Sequence, residues 1–219
     1  MKFAAVLLMG GDGLRFGGTT SKLFLKLGDK FIYEHALDTL ITSELFDEIV
    51  VVSSKKILVN NSLITLVTPG GSTRQESSYK GLLGMRSNPD FVIIHDGARP
   101  FLSIEILERN IDAVVKHNAV NTCIPSHDTI NYIDGNKVCS IPDRSRCVRG
   151  QTPQSFSYEL ILQCHKNTTI TNASDDCSLI MAVNHPIYIV DGNEKNVKIT
   201  TPIDFIIANQ LLYTNEFKS

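Results

Sequence analysis

The chain has 219 residues and a formal net charge of −2 at pH 7. Both signs of charge are interspersed without a basic run, which argues against a nucleic-acid partner but leaves a small anionic ligand possible. The longest apolar stretches, such as residues 4–9, are far shorter than the ~20 residues that span a bilayer. The N-terminus enters a strand pattern after one lysine and has no cleavable signal pattern. We therefore expect a cytoplasmic protein that does not act at a membrane.

The five cysteines are an odd set without a C-x-x-C pair. This pattern argues against both a disulfide framework and a zinc site, so we interpret the cysteines as reduced residues that mostly pack. The length is about one and a half times that of a typical domain. We expect residues 1–219 to form a single α/β domain with a small excursion.

Apolar runs and helical spacings alternate along the chain. The pattern predicts strands at 3–9, 48–53, 64–67, 91–95, 121–125 and 187–190, and helices at 32–42, 74–85, 104–117, from 158, at 175–183 and at 202–213. Such alternation is typical of a mostly parallel sheet with helices on both faces.

The alternation is interrupted at residues 128–148. Short strand patterns there surround Asp134-Gly135, a dipeptide that favours a hairpin turn. We expect an arm at about 128–150 that leaves the main body, after which the chain returns to the sheet with the helix from 158.

Residues 7–22, LLMGGDGLRFGGTTSK, form a glycine-rich loop directly after the first strand. Gly10, Gly11 and Gly13 let backbone amides approach phosphate oxygens, and Arg15 and Lys22 supply positive charge. The loop fits neither the Walker motif nor the dinucleotide fingerprint. A flexible turn is the alternative, but the two cations favour a cradle for a nucleoside triphosphate.

Ligands of open α/β sheets bind beyond the carboxyl ends of the strands, so the other loops at strand ends are candidates too. Residues 70–77, GGSTRQES, could read a base or hold an anion at a helix start, or could simply cap the helix. Asp96 ends a buried strand, where an unpaired charge is costly, so a divalent cation or Arg99 must satisfy it. His95 is interpreted as a packed residue. Lys198 lies in a short strand pattern and could be solvent-facing.

Seven ordered motifs run through nearly the whole chain: GGDGLRF with SK at 21–22, GGSTRQESSYKGL at 70–82, HDGARPF at 95–101, DT at 128–129, DR at 143–144 with QTPQSF at 151–156, SDD at 174–176 and NVKITTPID at 196–204. Together they resemble the cytidylyltransferases that make CDP-activated polyol phosphates, typified by the 2-C-methyl-D-erythritol 4-phosphate cytidylyltransferases of the non-mevalonate isoprenoid route. The resemblance implies a Rossmann-like nucleotidyltransferase fold with a protruding β-arm that forms a homodimer.

The resemblance also implies the chemistry and its residues. CMP passes from CTP to a polyol phosphate, with Mg²⁺ or another divalent cation held partly by Asp96. The implied catalytic residues are Arg15, Lys22 and Lys198. The implied nucleotide-binding residues are Met9, Gly10, Gly11, Gly13, Gly70, Gly71, Ser77, Asp96 and Gly97. The implied acceptor-binding residues are Arg99, Thr129, Arg144, Thr152 and Ser174, of which Thr129 and Arg144 are expected to reach the neighbouring subunit's site.

Three functions stay open from the sequence. The first is transfer of CMP to 2-C-methyl-D-erythritol 4-phosphate, and the second is transfer to D-ribitol 5-phosphate for teichoic acid or capsule. The third is a CTP-binding regulatory module without catalysis. The joint presence of Lys22, Asp96, Arg144 and Lys198 argues against the third, because a module that only binds CTP needs no cations at an acceptor site.

Overall fold

The structure is a computed structural model that describes residues 1–10, 21–57 and 61–214. Its strands are β1 (Phe3–Met9), β2 (Lys26–Leu27), β3 (Lys30–Phe31), β4 (Glu48–Ser53), β5 (Ile64–Val67), β6 (Phe91–Asp96), β7 (Ala119–Pro125), β8 (Tyr132–Asp134), β9 (Lys137–Ser140), β10 (Val148–Ser157) and β11 (Tyr188–Asp191). Its α-helices are α1 (Ile32–Thr42), α2 (Arg74–Leu83), α3 (Ile104–His117), α4 (Tyr158–Asn167), α5 (Cys177–Ala182) and α6 (Pro202–Tyr213). Within these described ranges, no helix is long and apolar enough to cross a membrane.

Seven strands form the central sheet in the order β11-β7-β10-β6-β1-β4-β5. β1 pairs in parallel with both β4 and β6, β4 with β5, and β7 with β11, whereas β10 runs antiparallel to both of its neighbours. This topology confirms the predicted mostly parallel α/β sheet.

Alternate residues of β1 supply two separate cores because successive side chains of a strand point to opposite faces. Ala5, Leu7 and Met9 pack on one face with buried residues of α1, α3 and α6. Val6 and Leu8 pack on the other face with α2, α4 and α5. Helices therefore cover both faces, as predicted.

Strand β10 was missed by the sequence patterns, which place a helix directly after the arm. Its buried part is mostly polar and contains Pro153, a residue that argues against an interior strand. In the structure the register of β10 on β7 shifts between Gly150 and Gln154, so Pro153 lies where the ladder is interrupted. The polar side chains are satisfied: Ser155 Oγ donates to Asn110 Oδ1 at 2.8 Å, for example.

The arm contains the predicted hairpin. β8 and β9 pair antiparallel, with Asp134 opposite Lys137, and Gly135 at the turn has a φ of +54°. A glycine adopts that conformation without the Cβ clash that other residues meet. Every residue of the two strands is exposed, so the hairpin contributes no residue to the buried core.

All five cysteines are free. Cys123, Cys164 and Cys177 are buried, whereas Cys139 on the arm is exposed. The interpretation of the cysteines as reduced and mostly packing residues agrees with this placement.

Candidate active site at the carboxyl edge of the sheet

Segments from three parts of the chain meet beyond the carboxyl ends of β1, β4 and β6. The Gly97 amide donates to Leu8 O at 2.9 Å, and the Gly70 amide donates to Ser53 O at 2.9 Å. The Ile199 amide donates to Ala98 O at 2.8 Å. These backbone bonds bring the segments that carry Asp96, Gly70 and Lys198 to one edge of the sheet, where ligands of α/β folds bind.

Asp96 is the centre of a cluster of charges. Lys198 Nζ lies 2.6 Å from Asp96 Oδ2, and Arg74 Nε lies 3.1 Å from Asp96 Oδ1. Burial by itself raises the pKa of Asp96, but the charges of Arg74 and Lys198 outweigh burial and hold the pKa well below its ordinary value. Asp96 is therefore an ionised carboxylate with a cation on each oxygen.

The predicted strand around Lys198 is wrong, since residues 196–200 have no strand assignment.

Arg99 makes no ion pair with Asp96, whose partners are Arg74 and Lys198, so the prediction of Arg99 as its partner is wrong. A divalent cation at Asp96 stays a prediction. Arg99 Nη1 donates instead to Asn196 O at 2.7 Å, and Arg99 Nη2 to Gly150 O at 3.5 Å. Arg99 thereby ties the loop that carries Lys198 to β10, and its buried charge lies close enough to lower the pKa of Asp96 further.

Thr152 fixes the backbone at Asp96. Its Oγ1 accepts from the Asp96 amide at 3.1 Å and lies 3.2 Å from His95 Nδ1. His95 Nε2 lies 3.1 Å from Arg99 O. The neutral Nε2–H tautomer of His95 satisfies both contacts, because Nε2 then donates and Nδ1 accepts. Burial lowers the pKa of His95 to about 4, which agrees with a packed, uncharged residue.

Ser77 holds the second glycine loop. Its Oγ accepts from the Gly71 amide at 3.0 Å and donates to Thr73 O at 2.9 Å. A Cβ on Gly71 would overlap the Ser77 amide, and a Cβ on Gly10 would lie 3.0 Å from Ser77 Oγ. Gly71 therefore approaches Ser77 as only a glycine allows, and Gly10 lies against the same serine side chain.

Residues 70–77 also cap the start of α2, which was the alternative role that the sequence gave this loop. Thr73 Oγ1 accepts from the Glu76 amide at 3.0 Å, and Glu76 Oε2 accepts from the Ser72 amide at 2.7 Å. Lys80 Nζ donates to Gly70 O at 3.1 Å. Capping and a ligand role are compatible, because these contacts leave the Gly70 side of the loop partly exposed.

Met9 ends β1 with a fully buried side chain. A Cβ on Gly97 would lie 3.1 Å from Leu8 O and 3.4 Å from Met9 Cγ, so Gly97 lets the two strand ends approach closely. Met9 as a whole has no accessible surface, whereas the next residue, Gly10, is exposed.

Lys22 begins a short 3₁₀ helix, Lys22–Phe24. Burial raises the pKa of Asp204, whereas hydrogen bonds at Thr200 and Thr201 and the charge of Lys22 lower it below its ordinary value. Lys22 thus lies near the segment that follows Lys198. The predicted residues Gly11, Gly13 and Arg15 lie outside the described residues.

The remaining predicted residues are exposed. Thr129 and Arg144 lie on the arm, where Arg144 Nη1 donates to His127 O at 3.1 Å. Ser174 lies in the loop before α5. The structure thus gathers Lys198, Asp96, Arg99 and Thr152, but it leaves Thr129, Arg144 and Ser174 facing solvent.

Two charged residues of this cluster were missed by the sequence-based prediction. Arg74 Nη1 lies 2.7 Å from Asp176 Oδ2, so one guanidinium bridges Asp96 and the fully buried Asp176. Burial opposes the charged form of Arg74, but Asp176 and Asp96 raise its pKa above the ordinary value. The two adjacent acids of the SDD motif at 174–176 were a signal for Asp176. An acid that precedes a helix packed on the core becomes buried, and a buried charge needs a partner.

Asp96 suits a magnesium ion that also binds a nucleotide. In the described part of the chain, no group of three or more histidine, cysteine or acidic side chains is arranged to hold a metal. Mg²⁺ needs no such group, because it commonly binds through one or two carboxylates together with substrate phosphates. The single ionised, oxygen-bearing side chain of Asp96 fits that donor set.

Comparisons with known proteins identify the family of the chain. The family model described as 2-C-methyl-D-erythritol 4-phosphate cytidylyltransferase matches residues 3–214. A protein of that name from Clostridium botulinum strain Eklund 17B is 35% identical, over 95% of this chain and 98% of the relative. The crystal structure of 4-diphosphocytidyl-2C-methyl-D-erythritol synthase from Anaerococcus prevotii superposes with a TM-score of 0.84 at 30% identity, covering 96% of each chain. That of 2-C-methyl-D-erythritol 4-phosphate cytidylyltransferase from Thermus thermophilus does so with a TM-score of 0.78 at 27% identity, covering 94% of this chain and 97% of the other. The chain therefore belongs to the 2-C-methyl-D-erythritol 4-phosphate cytidylyltransferase family.

Proposed function

We propose that this chain transfers CMP from CTP to 2-C-methyl-D-erythritol 4-phosphate and releases pyrophosphate, a step of isoprenoid biosynthesis. The observation that carries the proposal is the Asp96 cluster beside Gly10 and the Gly70–Gly71 loop, in a chain that matches the family over almost its full length. Cations that can stabilise developing negative charge, and an ionised carboxylate that can hold a metal, suit a transfer between two phosphates.

The reaction needs no protein nucleophile. An oxygen of the acceptor phosphate attacks the α-phosphorus of CTP, and the bond from that phosphorus to the oxygen of the β-phosphate breaks, so pyrophosphate leaves. The enzyme has to hold two anions together and to stabilise the charge that develops on the α-phosphate and the leaving group.

We assign the cations by their surroundings. Lys198 is the most exposed member of the Asp96 cluster, with 41% of its side chain accessible, so it can turn from Asp96 towards a phosphate. Lys22 and Arg15 are proposed to hold the triphosphate. The Gly70–Gly71 backbone, held by Ser77, is proposed to contact the base, alongside Gly10 and Gly97.

Mg²⁺ is the proposed metal, with Asp96 as its described protein ligand. When bound, it would neutralise charge on the triphosphate and so ease the departure of pyrophosphate.

The acceptor is proposed to contact the exposed residues Ser174, Thr129 and Arg144. Thr152 and Arg99 serve it by fixing Asp96 and the loop of Lys198, since Thr152 Oγ1 and the two Nη atoms of Arg99 bind protein groups.

A homodimer through the arm is part of the proposal. The hairpin carries exposed apolar side chains, namely Tyr132 at 61%, Ile133 at 67% and Val138 at 58% accessible. Two isolated strands are marginally stable in water, and exposed apolar patches of this kind mark interaction surfaces. A second copy of the chain would cover these side chains and would place Thr129 and Arg144 beside its site.

The test is release of pyrophosphate by purified protein given CTP, Mg²⁺ and one polyol phosphate at a time. We expect turnover with 2-C-methyl-D-erythritol 4-phosphate well above that with D-ribitol 5-phosphate. A preference for ribitol phosphate would move the chain to the other acceptor, and binding of CTP without turnover of either would indicate a regulatory module.

A further inference from the structure

Two buried carboxylates share one guanidinium at the edge of the proposed site. Arg74 Nε donates to Asp96 Oδ1 at 3.1 Å, and Arg74 Nη1 donates to Asp176 Oδ2 at 2.7 Å. The planar fork of arginine can hold two carboxylates in fixed directions, which the single ammonium of lysine cannot do.

Asp176 is anchored from the side away from Asp96. Ser78 Oγ donates to Asp176 Oδ1 at 2.6 Å, His165 Nε2 lies 3.0 Å from the same oxygen, and the Asp176 amide donates to Gln154 Oε1 at 3.1 Å. Asp176 is 1% accessible. It is therefore a fixed point, and it holds the guanidinium of Arg74 in place.

The two cations on Asp96 differ in exposure. The side chain of Arg74 is 19% accessible and that of Lys198 is 41% accessible. Arg74 is also held by a second carboxylate, whereas the ion pair of Lys198 with Asp96 lies at the open side of the cluster. Oδ1 of Asp96 thus has a permanent partner, and Oδ2 has an exchangeable one.

We propose that Asp176 and Arg74 are positioning residues that hold the Asp96 carboxylate with Oδ2 towards the substrates, so that Lys198 or a metal ion can exchange on that oxygen. This inference rests on the proposed function. Without the pair, the carboxylate of Asp96 would rotate and its contacts with Lys198 would lose their direction.

The chain offers a matched control for the test. Glu48, at the amino end of β4, is likewise buried and accepts from Thr65 Oγ1 at 2.6 Å, the same distance as from Ser78 to Asp176. A six-residue strand puts it about 17 Å from the carboxyl edge. Ser78→Ala and Thr65→Val each remove one hydroxyl donor from a buried carboxylate, but only the first lies in the proposed pair.

The experiment measures kcat, KM and the thermal midpoint of the wild type and of five variants. Asp176→Asn, Arg74→Lys and Ser78→Ala test the inference, and Glu48→Gln and Thr65→Val are the controls. For Asp176→Asn and Arg74→Lys we expect kcat to fall by about 10- to 100-fold, as when an outer-shell partner of a site is removed. KM for CTP should change little, because neither substitution removes a hydrogen bond of Gly70, Gly71 or Ser77. The controls should lose stability and keep kcat. The double variant Arg74→Lys/Asp176→Asn should be no slower than the slower single variant, since both act through one contact.

The outcomes separate a failure of this inference from a failure of the proposed function. If the wild type turns over and Asp176→Asn keeps full kcat, the positioning role of Asp176 and Arg74 is overturned and the proposed function stands. If Asp176→Asn does not fold, Ser78→Ala takes its place, and equal kcat for Ser78→Ala and Thr65→Val at equal loss of stability overturns the inference. No turnover by the wild type with either acceptor overturns the function and the inference together.

Discussion

Glu48 provides a stability prediction that is independent of the active site. Its carboxylate accepts from Thr65 Oγ1 at 2.6 Å, from the Ser87 amide at 2.8 Å and from the Arg86 amide at 3.0 Å. Burial raises the pKa of Glu48, but these hydrogen bonds outweigh burial and lower the pKa from 4.5 to about 2. The charged form is therefore stabilised by folding, and Glu48→Gln removes that stabilisation.

The size follows from linkage between protonation and folding. A group with a depressed pKa in the folded state contributes its full stability above the unfolded pKa and loses it as the pH falls through the folded pKa. A shift from 4.5 to about 2 corresponds to roughly 3 kcal/mol at pH 7. At pH 3, between the two pKa values, about 1.4 kcal/mol of it is left. We expect the wild type to exceed Glu48→Gln in free energy of unfolding by about 2 kcal/mol more at pH 7 than at pH 3.

Urea unfolding of both proteins at pH 7, 5, 4 and 3, followed by circular dichroism, measures this difference. At each pH, the free energy of unfolding of the variant is subtracted from that of the wild type, which cancels the titration of all other groups. Comparing this difference between pH values also cancels any pH-independent cost of placing an amide against backbone N–H donors. A difference in free energy that does not change between pH 7 and pH 3 would refute the reasoning. Any loss of kcat in Glu48→Gln beyond the loss of folded protein would contradict the separation of this end of the sheet from the site.

Four further predictions concern activity. Lys22→Ala should lower kcat by about a hundredfold or more, as when one preorganised donor is removed, and a near-normal kcat in steady-state kinetics would refute its assignment. CTP should be strongly preferred over ATP and GTP, with UTP rejected less strongly, because the Gly70–Gly71 backbone suits a small pyrimidine; equal turnover with ATP would contradict this. Gly71→Ala should weaken CTP binding in calorimetry, since its Cβ would overlap the Ser77 amide, and an unchanged Kd would argue against the loop as the base site. Co-refolding the separately inactive Lys22→Ala and Arg144→Ala proteins should restore about one quarter of wild-type activity, because half the dimers are mixed and each has one intact site; no recovery despite subunit exchange would mean that each site is built within one chain.

The sequence by itself determined the elements whose patterns are local. The continuous apolar runs at 3–9 and 48–53 are typical of strands buried on both faces, and the structure has β1 and β4 at those bounds. The hairpin of the arm followed from Asp134-Gly135, because a tight turn is decided by the few residues that form it. The seven motifs of the sequence also indicated the family, which the comparisons show.

The position of β10 was decided only by the tertiary structure. A polar strand with a proline at its centre carries no local strand pattern, and it is stable only because β6 and β7 flank it and their neighbours satisfy its side chains. Burial and hydrogen-bond partners from distant segments outweighed the intrinsic preferences of its residues, as they often do for strands.

The charge cluster shows the same division. The sequence singled out Asp96 and Lys198 but could not pair them, because 102 positions separate them along the chain. It gave Arg74 no role and offered Arg99, beside a divalent cation, as the partner of Asp96, although Arg99 binds backbone carbonyls instead. Which of several cations reaches a carboxylate depends on where the strands end and on the direction of each side chain. Those are properties of the packed sheet, and no local pattern of residues encodes them.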